Sequence, residues 1–319
     1  MNRFGLRALA VMAAALAPAL LTSPAWAQPV PAPVPAAAPA PPNFEAVQIK
    51  ATDLGHRTWM LEGLGGNITV IAGDDGVIMV DTEFAPLHDK IKAAVAGLSP
   101  QPIRFVVDTH LHGDHTGGNQ AFAQDGATLV RQENLRRSMA EGTTNALTGA
   151  KTPPAPAAAL PSRTYADRMS LAVKGRSVEL IHMPVAHTRG DTAIWIPDAN
   201  VLATGDIVSQ GARYPNIDVG DGGGIEGIIT AVDAFLKRAD GKTKIVPGHG
   251  ALMTRDQLVQ YRAMLADARD AVKTLKVSGK TEDQIVAAKP LSANGVQARA
   301  GANDQQSATL VRLIYRSIA

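Results

Sequence analysis

The chain has 319 residues, with 31 basic and 29 acidic side chains, eight histidines and no cysteine. The absence of cysteine excludes disulfides, thiolate nucleophiles, iron–sulfur clusters and zinc sites built on thiolates. Residues 1–27 contain Arg3 and Arg7 and no acid, so the remaining residues carry 29 basic and 29 acidic side chains and no net charge. A neutral body of this kind argues against a nucleic-acid partner.

The N-terminus has the pattern of an export signal. Two arginines precede an apolar run, and Ala25-Trp26-Ala27 matches the small-x-small pattern of a cleavage site. The alternative is a membrane anchor, but the run contains Pro18 and its roughly 14 residues fall short of the ~20 that cross a bilayer. We therefore expect residues 1–27 to be a signal peptide cleaved after Ala27. The mature protein is then periplasmic or secreted, without stable insertion in a membrane.

Residues 28–43 consist mainly of proline and alanine. This composition favours an extended polyproline II conformation and offers little apolar surface to a core. We interpret the segment as a linker, and we expect one folded domain over residues 44–319.

From Phe44 onward, strand and helix patterns alternate along the chain. The β-branched residues predict a strand over Val47–Glu62, and the turn 73–76 separates strands at Asn67–Ala72 and Val77–Asp81. The next elements are a helix over Pro86–Leu98 and a strand over Ile103–Val107. Further strands are predicted at Ala127–Val130, Ser170–Val173, Ser177–His182, Thr192–Ile196, Val201–Thr204 and Lys244–Val246. Further helices are predicted at Gly227–Arg238, Arg255–Leu275, Glu282–Ala288 and Gln305–Ser317.

Two longer segments complete the prediction. Residues 139–163 form an irregular stretch, and long loops in compact domains are often lids or binding loops. Residues 254–319 read as amphipathic helices that pack on the outer face of a sheet.

Four side chains of metal-ligand type follow the strand Ile103–Val107 directly, in Thr109-His110-Leu111-His112-Gly113-Asp114-His115. In an extended turn, His110 and His112 point to the same side, because side chains alternate with period two. Asp114 and His115 follow around the bend and can face a second point nearby. So many polar side chains are costly to place together without a partner, and this set suits zinc as well as Fe, Mn or Co.

Three further candidates, His187, Asp206 and His249, each lie just past the carboxyl end of a predicted apolar strand. Taken singly, Asp206 could be a helix N-cap and His249 a satisfied turn residue. Together with the histidine-rich turn they predict one shared metal centre. The remaining histidines are interpreted as structural: His56, His88 and His182.

The order His-x-His-x-Asp-His, His, Asp, His resembles the ligand set of the metallo-β-lactamase superfamily of metallo-hydrolases. The resemblance runs from Gly66-Asn67 and Val80-Asp81-Thr82 to Pro247-Gly248-His249-Gly250. It implies an α/β (α+β) fold, a four-layer αβ/βα sandwich of two mixed β-sheets. The helices lie outside, and a dinuclear metal site lies at one edge.

The resemblance also implies which side chains hold two Zn²⁺ ions, although Fe or Mn suits the same ligands. The first ion would be held by three imidazoles, those of His110, His112 and His187. The second would be held by Asp114, His115 and His249. Asp206 would bridge both ions, and Asp81 would be a buried carboxylate that supports a ligand without binding metal.

Two metals about 3.5–4 Å apart can share a hydroxide that exists at neutral pH. The implied reaction is attack of this hydroxide on the ester, lactone, thioester or amide carbonyl of a small molecule. Asp114 would be the catalytic residue that orients the nucleophile. The sequence contains neither a G-x-S-x-G nor a Walker A pattern that would favour another chemistry.

A second possible function is that of a class B-like β-lactamase, of weak or promiscuous activity. The cysteine-bearing members of that class have Cys where this chain has Asp206 and Lys where it has Ser209. The usual clamp for the β-lactam carboxylate is therefore missing its charge, and Arg189 or Arg213 are the candidates to replace it.

The same residues bear on three more distant functions. Persulfide dioxygenases resemble this chain in the first metal's ligands but use one iron, and the presence of both His115 and His249 favours two metals. A non-catalytic module is expected to have lost ligands, and none is missing here. A nuclease is disfavoured by the export signal and by the neutral charge.

Overall fold

The computed structural model describes residue 1 and residues 42–211 and 214–319. Apart from residue 1, the predicted signal peptide lies outside these residues, as do nearly all of the predicted linker and Arg213. The chain divides after Pro42, and every element below belongs to the unit Asn43–Ala319. No helix in the described part of the chain combines the length and the hydropathy needed to cross a membrane.

The first sheet has seven strands in the order β1-β2-β3-β4-β5-β6-β9. Its strands are β1 (Lys50–Gly55), β2 (Thr58–Glu62), β3 (Ile68–Ala72), β4 (Val77–Val80), β5 (Ile103–Val107), β6 (Thr128–Gln132) and β9 (Arg163–Tyr165). Neighbours from β1 to β4 are antiparallel, whereas those from β4 to β9 are parallel. A separate two-stranded ribbon is formed by β7 (Thr143–Thr144) and β8 (Lys151–Thr152).

The second sheet has five strands in chain order. They are β10 (Arg168–Val173), β11 (Arg176–Met183), β12 (Asp191–Ile196), β13 (Val201–Ala203) and β14 (Lys244–Val246). Only the last pair, β13 and β14, is parallel. Both sheets are therefore mixed, and each contains a parallel portion.

Ten helices flank the two sheets in the described part of the chain. Four belong to its first half: α1 (His88–Leu98), α2 (Gly113–Thr116), α3 (Asn119–Gln124) and α4 (Glu133–Glu141). Six belong to its second half: α5 (Ile225–Arg238), α6 (Arg255–Val277), α7 (Glu282–Ala288), α8 (Pro290–Ala293), α9 (Val296–Ala300) and α10 (Asp304–Ser317).

The core consists of three apolar layers, and the side chains of β4 alternate between two of them. Ile78 and Val80 face the second sheet and pack with Ile194 of β12. Their neighbours Val77 and Met79 face the opposite way and pack with the apolar side of α1. Because both faces of β4 are covered, the whole strand is buried.

The outer face of the second sheet is covered by the C-terminal helices. Trp195 of β12 packs in one core cluster with Ile228 of α5, Leu265 of α6 and Ile314 of α10. The arrangement is therefore helix, sheet, sheet, helix, which confirms the predicted four-layer sandwich. The predicted packing of residues 254–319 on an outer sheet face is confirmed as well.

The prediction of a single strand over Val47–Glu62 is wrong, because two strands and a turn occupy this segment. At the turn, His56 and Arg57 adopt left-handed backbone conformations with φ near 50°. The Arg176 guanidinium donates hydrogen bonds to the carbonyls of both residues. The partner that stabilises this turn lies about 120 positions away, so the local pattern does not reveal it.

The segment 139–163 is less irregular than predicted. Helix α4 continues to Glu141, the β7–β8 ribbon follows, and β9 begins at Arg163. The short helices α2 and α3 also escape the sequence pattern, because a helix of four to six residues is too short to establish a period.

Candidate metal centre

The turn Thr109–His115 is fixed at its start by Asp81, which directly follows β4. The Asp81 carboxylate accepts hydrogen bonds from the Thr109 backbone N–H at 2.7 Å and from Thr109 Oγ1 at 2.8 Å. The second half of this segment enters the short helix α2, which contains Asp114 and His115. A buried carboxylate at the end of one strand therefore holds the loop that leaves the neighbouring parallel strand.

Seven side chains meet at this edge of the two sheets and form two groups. The first group contains His110, His112, His187 and Asp206. The second group contains Asp114, His115 and His249. Within each group one nitrogen or oxygen atom per residue lies within 4.8 Å of the others, a spacing that suits a shared cation.

Asp206 faces both groups with different oxygens. Its Oδ2 lies 3.9 Å from His110 Nε2 and 3.9 Å from His187 Nε2, both in the first group. Its Oδ1 lies 3.3 Å from His115 Nε2 and 3.5 Å from His249 Nε2, both in the second group. This is the geometry that a carboxylate needs to bridge two ions.

Four of the five imidazoles are oriented by a hydrogen bond at the nitrogen that points away from the centre. The four contacts are His110 Nδ1 to Thr109 Oγ1 at 3.0 Å, His115 Nδ1 to Asp81 Oδ2 at 2.8 Å, His187 Nδ1 to the Asn216 carbonyl at 2.9 Å, and His112 Nε2 to Asp218 Oδ2 at 3.0 Å. Such contacts fix the tautomer and the ring orientation of a metal ligand. Asp81 is thus buried behind His115, a position that fits the supporting role that the resemblance implies for it.

Two buried atoms in the centre have no hydrogen-bond partner, His110 Nε2 and Asp206 Oδ1. Both belong to the seven converging side chains, and an unpaired buried polar atom is costly. His110 Nε2 faces the first group and Asp206 Oδ1 faces the second, so one cation in each group would satisfy both atoms. The residues therefore fit the metal ions that the sequence implies.

Two of the three imidazoles in the first group have protonation preferences that suit metal binding, whereas for the third, His112, burial is outweighed by Asp218, which raises the pKa of that ring. Burial and the neighbouring imidazoles hold the pKa of His110 well below its usual range. Burial, together with the nearby His112, lowers the pKa of His187 to about 4. Both rings are thus neutral at pH 7, which is the form that coordinates a metal.

The second group attracts positive charge. Burial lowers the pKa of His115, but Asp206 and Asp81 outweigh it and hold that pKa well above its usual range. His249 behaves alike, since Asp114 and Asp206 overcome its burial and raise its pKa to about 9. The carboxylates therefore favour a cation at this position, whether a proton or a metal ion supplies the charge.

Asn67 connects the second group to the first sheet. Its Nδ2 donates hydrogen bonds to the carbonyls of Pro247 at 2.9 Å and Gly250 at 2.8 Å, on either side of His249. A Cβ on Gly248 would lie 2.0 Å from Asp206 Oδ1, so the close approach of this turn to the bridging position requires glycine.

All seven predicted ligands converge, whereas the residues interpreted as structural lie outside both groups. His88 bonds Asp89 and Asp125, and His182 Nε2 donates to the Arg189 carbonyl. The metal-binding roles of the seven residues remain predictions. Of the candidate replacements for the β-lactam clamp, Arg189 forms an ion pair with Asp221 at 3.1 Å, and Arg213 lies outside the described residues.

Sequence reasoning missed Asp218, Asn216 and Glu83. Asp218 and Asn216 hold ligand rings from a loop without a regular pattern, so no spacing singles them out. Glu83 is fully buried and accepts hydrogen bonds from the backbone N–H groups of Leu64 and Gly65 beside the centre. Its position two residues after Asp81 is the only signal that the sequence offers.

Comparison with known proteins places this geometry in a family. The family model of the Metallo-beta-lactamase superfamily matches residues 61–250. Over 161 residues the chain is 27% identical to the 2,4-dinitroanisole O-demethylase subunit alpha of Nocardioides sp., covering 50% of this chain and 46% of that protein. It is 25% identical over 262 residues to the linear primary-alkylsulfatase of Pseudomonas sp., covering 68% of this chain and 48% of that protein.

The chain thus spans about half the length of these two relatives. A solved structure, the metallo-beta-lactamase from Pontibacter korlensis, aligns with a TM-score of 0.57 at 19% identity. That alignment covers 69% of this chain and all of the other. Since the family model matches more than half of the chain and contains every predicted ligand, this protein belongs to the metallo-β-lactamase superfamily.

Proposed function

We propose that this protein is an exported hydrolase with two zinc ions, which attacks an ester, lactone, thioester or amide carbonyl of a small molecule. The observation that carries the proposal is the orientation of Asp206. Its two oxygens face two separate groups of ligand atoms, and each group contains at least three further side chains. A site for a single iron needs only the first group, so the complete second group favours two ions.

Two bound divalent ions supply Lewis acidity and a water molecule that loses its proton near neutral pH. The chain itself supplies the geometry. Asp114 Oδ2 lies 3.2 Å from His249 Nε2, and its side chain is 30% exposed, so it can accept a proton at the boundary between the centre and solvent. We assign it the role of orienting the nucleophile and holding that proton.

Among the described ligand side chains, those most open to solvent mark the side from which substrate reaches the centre. The side chains of His110, His115 and His187 are at most 1% exposed, whereas those of Asp114 and His112 are 30% and 26% exposed. The reacting bond therefore approaches over Asp114 and His112. The turn 63–66 lies beside this opening, because the Gly66 N–H donates to the Asp114 carbonyl at 3.0 Å.

The position of the protein in the cell belongs to the same proposal. The basic start, apolar run and Ala25-Trp26-Ala27 pattern support export to the periplasm or medium, with cleavage after Ala27. Zero cysteine is compatible with an oxidising compartment, since no thiol is present to be oxidised.

The test combines metal content with turnover. We expect purified protein to hold two zinc ions per chain and to hydrolyse at least one member of a panel of lactones, thioesters, carboxylic esters and β-lactams. The panel also contains an alkyl sulfate and an aryl methyl ether, because the two relatives are an alkylsulfatase and an O-demethylase by name. One ion of iron per chain and no hydrolysis would refute the proposal.

The variant that tests the bridge is Asp206→Ala. We expect it to lose both ions and all turnover, because one carboxylate serves both groups. Asp283→Ala is the matched control, since its side chain is 84% exposed and pairs with Arg312 on the surface. An Asp206→Ala protein that keeps two ions and wild-type activity would show that the bridging assignment is wrong.

A further inference from the structure

A fully buried ion pair lies directly behind the turn Thr109–His115. Arg131 of β6 and Asp108, the residue before the turn, are both 0% exposed, and Arg131 Nε donates to Asp108 Oδ2. Removing two charges from water is expensive, and the mutual attraction of a buried pair often only offsets that cost. The pair is therefore a poor source of fold stability, and its more direct effect is to fix geometry.

Asp108 is connected to both ends of the turn. It precedes Thr109 in sequence, and its Oδ2 accepts a hydrogen bond from Asn119 Nδ2 at 3.1 Å. Thr82 Oγ1 lies 3.0 Å from Asn119 Oδ1 and also 3.0 Å from the His115 carbonyl. A chain of polar contacts thus runs from the Arg131 guanidinium to the backbone of a second-group ligand.

The other side of the Arg131 guanidinium holds the segment 153–160. Its Nη1 donates to the Ala159 carbonyl at 2.8 Å and lies 3.0 Å from Met139 Sδ. Met139 in turn packs with Leu111, which stands between His110 and His112 in the turn. The guanidinium therefore contacts both the layer that covers the turn and the carboxylate at the base of the turn.

The pair is also incompletely satisfied. Arg131 Nη2 and Asp108 Oδ1 are buried and have no hydrogen-bond partner. An unpartnered buried charge atom destabilises a fold, so an apolar pair of similar volume would serve stability equally well or better. Stability alone does not account for an arginine at this position.

We propose that Arg131 is a positioning residue for the metal centre: through Asp108 it fixes the turn that carries His110, His112 and His115, and it clamps the segment 153–160 against the back of that turn. The inference rests on the metal centre proposed above. Arg131 is not one of the residues that bond the candidate ligand rings, so its proposed role is additional to theirs.

The experiment measures zinc affinity by competition with a chelator, together with the visible spectrum of the cobalt-loaded protein and the melting temperature of the metal-free protein. Arg131→Met is compared with the double variant Arg131→Met/Asp108→Asn, in which no buried charge is left unpaired. Arg176→Met is the matched control. Arg176 is 6% exposed and pairs with Asp198, but it lies at the opposite end of β11 from the loop that carries His187.

We expect Arg131→Met to bind zinc roughly tenfold or more weakly, as when other supports of metal ligands are removed. The double variant should regain melting temperature without regaining affinity, and its cobalt spectrum should differ from that of the wild type. Arg176→Met should lose melting temperature and keep its zinc affinity within about twofold, because distant sites act independently.

Two results would overturn the inference. In the first, the double variant recovers both melting temperature and zinc affinity, so Arg131 acts only through stability. In the second, Arg176→Met loses as much affinity as Arg131→Met. If Arg131→Met does not fold, the double variant is compared directly with the wild type: wild-type zinc affinity would overturn the inference, and weaker zinc binding would support it. A wild type that binds no zinc would instead refute the proposed function, so the two failures are distinguishable.

Discussion

Gly66 offers the sharpest test of the second group of ligands, because the imidazole of His115 lies directly against it. A Cβ at position 66 would lie 2.1 Å from His115 Cε1 and 2.5 Å from both ring nitrogens. Ordinary van der Waals contact begins near 3.4 Å, so the Gly66→Ala methyl group must displace the ring or the backbone by about 1.3 Å.

The backbone cannot yield easily at this position. The Gly66 N–H is bonded to the Asp114 carbonyl, and the next residue, Asn67, holds the carbonyls of Pro247 and Gly250. The His115 ring therefore moves, and a shift of this size breaks its 2.8 Å hydrogen bond to Asp81. A hydrogen bond to a charged group contributes roughly 1.5–3 kcal/mol, which corresponds to about a tenfold to hundredfold loss of affinity.

We expect Gly66→Ala to retain the first ion and to bind the second about tenfold to a hundredfold more weakly. Metal per chain after dialysis, by elemental analysis, and zinc affinity by chelator competition measure the change. Gly113→Ala is the control, because a Cβ there meets nothing within 4 Å although the residue adjoins His112. Two ions bound with wild-type affinity in Gly66→Ala would refute the assignment of His115 to a metal.

Three other outcomes are expected. Chelation should abolish hydrolysis and lower the melting temperature, and added zinc should restore both by mass action; activity that survives complete metal removal would contradict the centre. Wild-type protein should turn over β-lactams with a high KM, and Ser209→Lys should lower KM with little change in kcat, since a charge-assisted contact contributes roughly 1.5–3 kcal/mol. A wild type already efficient on these substrates would mean that another residue binds the carboxylate. Protein from the native periplasm should begin at Gln28 by N-terminal sequencing, whereas an intact N-terminus in the cytoplasm would contradict export.

The sequence predicted the four layers and the convergence of seven polar side chains, but not the residues that hold them. Short apolar runs between turn residues identified the buried strands, because β4 and the second half of β12 are apolar on both faces. Arg131 and Gln132 interrupt that pattern, so the predicted strand ended at Val130, although both residues are buried in β6. The buried Arg131 is paired with Asp108 and also donates to the Ala159 carbonyl. No local sequence pattern reveals these distant partners.

The strand topology also explains why the sequence predicted the candidate ligands but not the residues that orient them. Each sheet has a parallel portion with ligand-bearing loops at its carboxyl end: β5 pairs in parallel with β4 and β6 in the first sheet, and β13 pairs in parallel with β14 in the second. His110, Asp206 and His249 each follow the last residue of their strand by three positions. Parallel neighbours end at the same edge, so a polar residue at this distance is brought to the centre by topology alone.

The supporting residues obey no such rule, because they reach the centre from loops or from strand interiors. Asp218 approaches His112 from the loop before α5, and Arg131 approaches the turn from within β6. Strand topology thus determines which atoms converge at the candidate metal centre, whereas the loops determine how rigidly those atoms are held and what lies beside Asp114. The candidate metal centre can therefore be predicted from the sequence. We expect substrate selection to depend on the turn 63–66, which lies beside Asp114, and on the loop 214–218, which contacts His112 and His187. These contacts appear only in the folded chain.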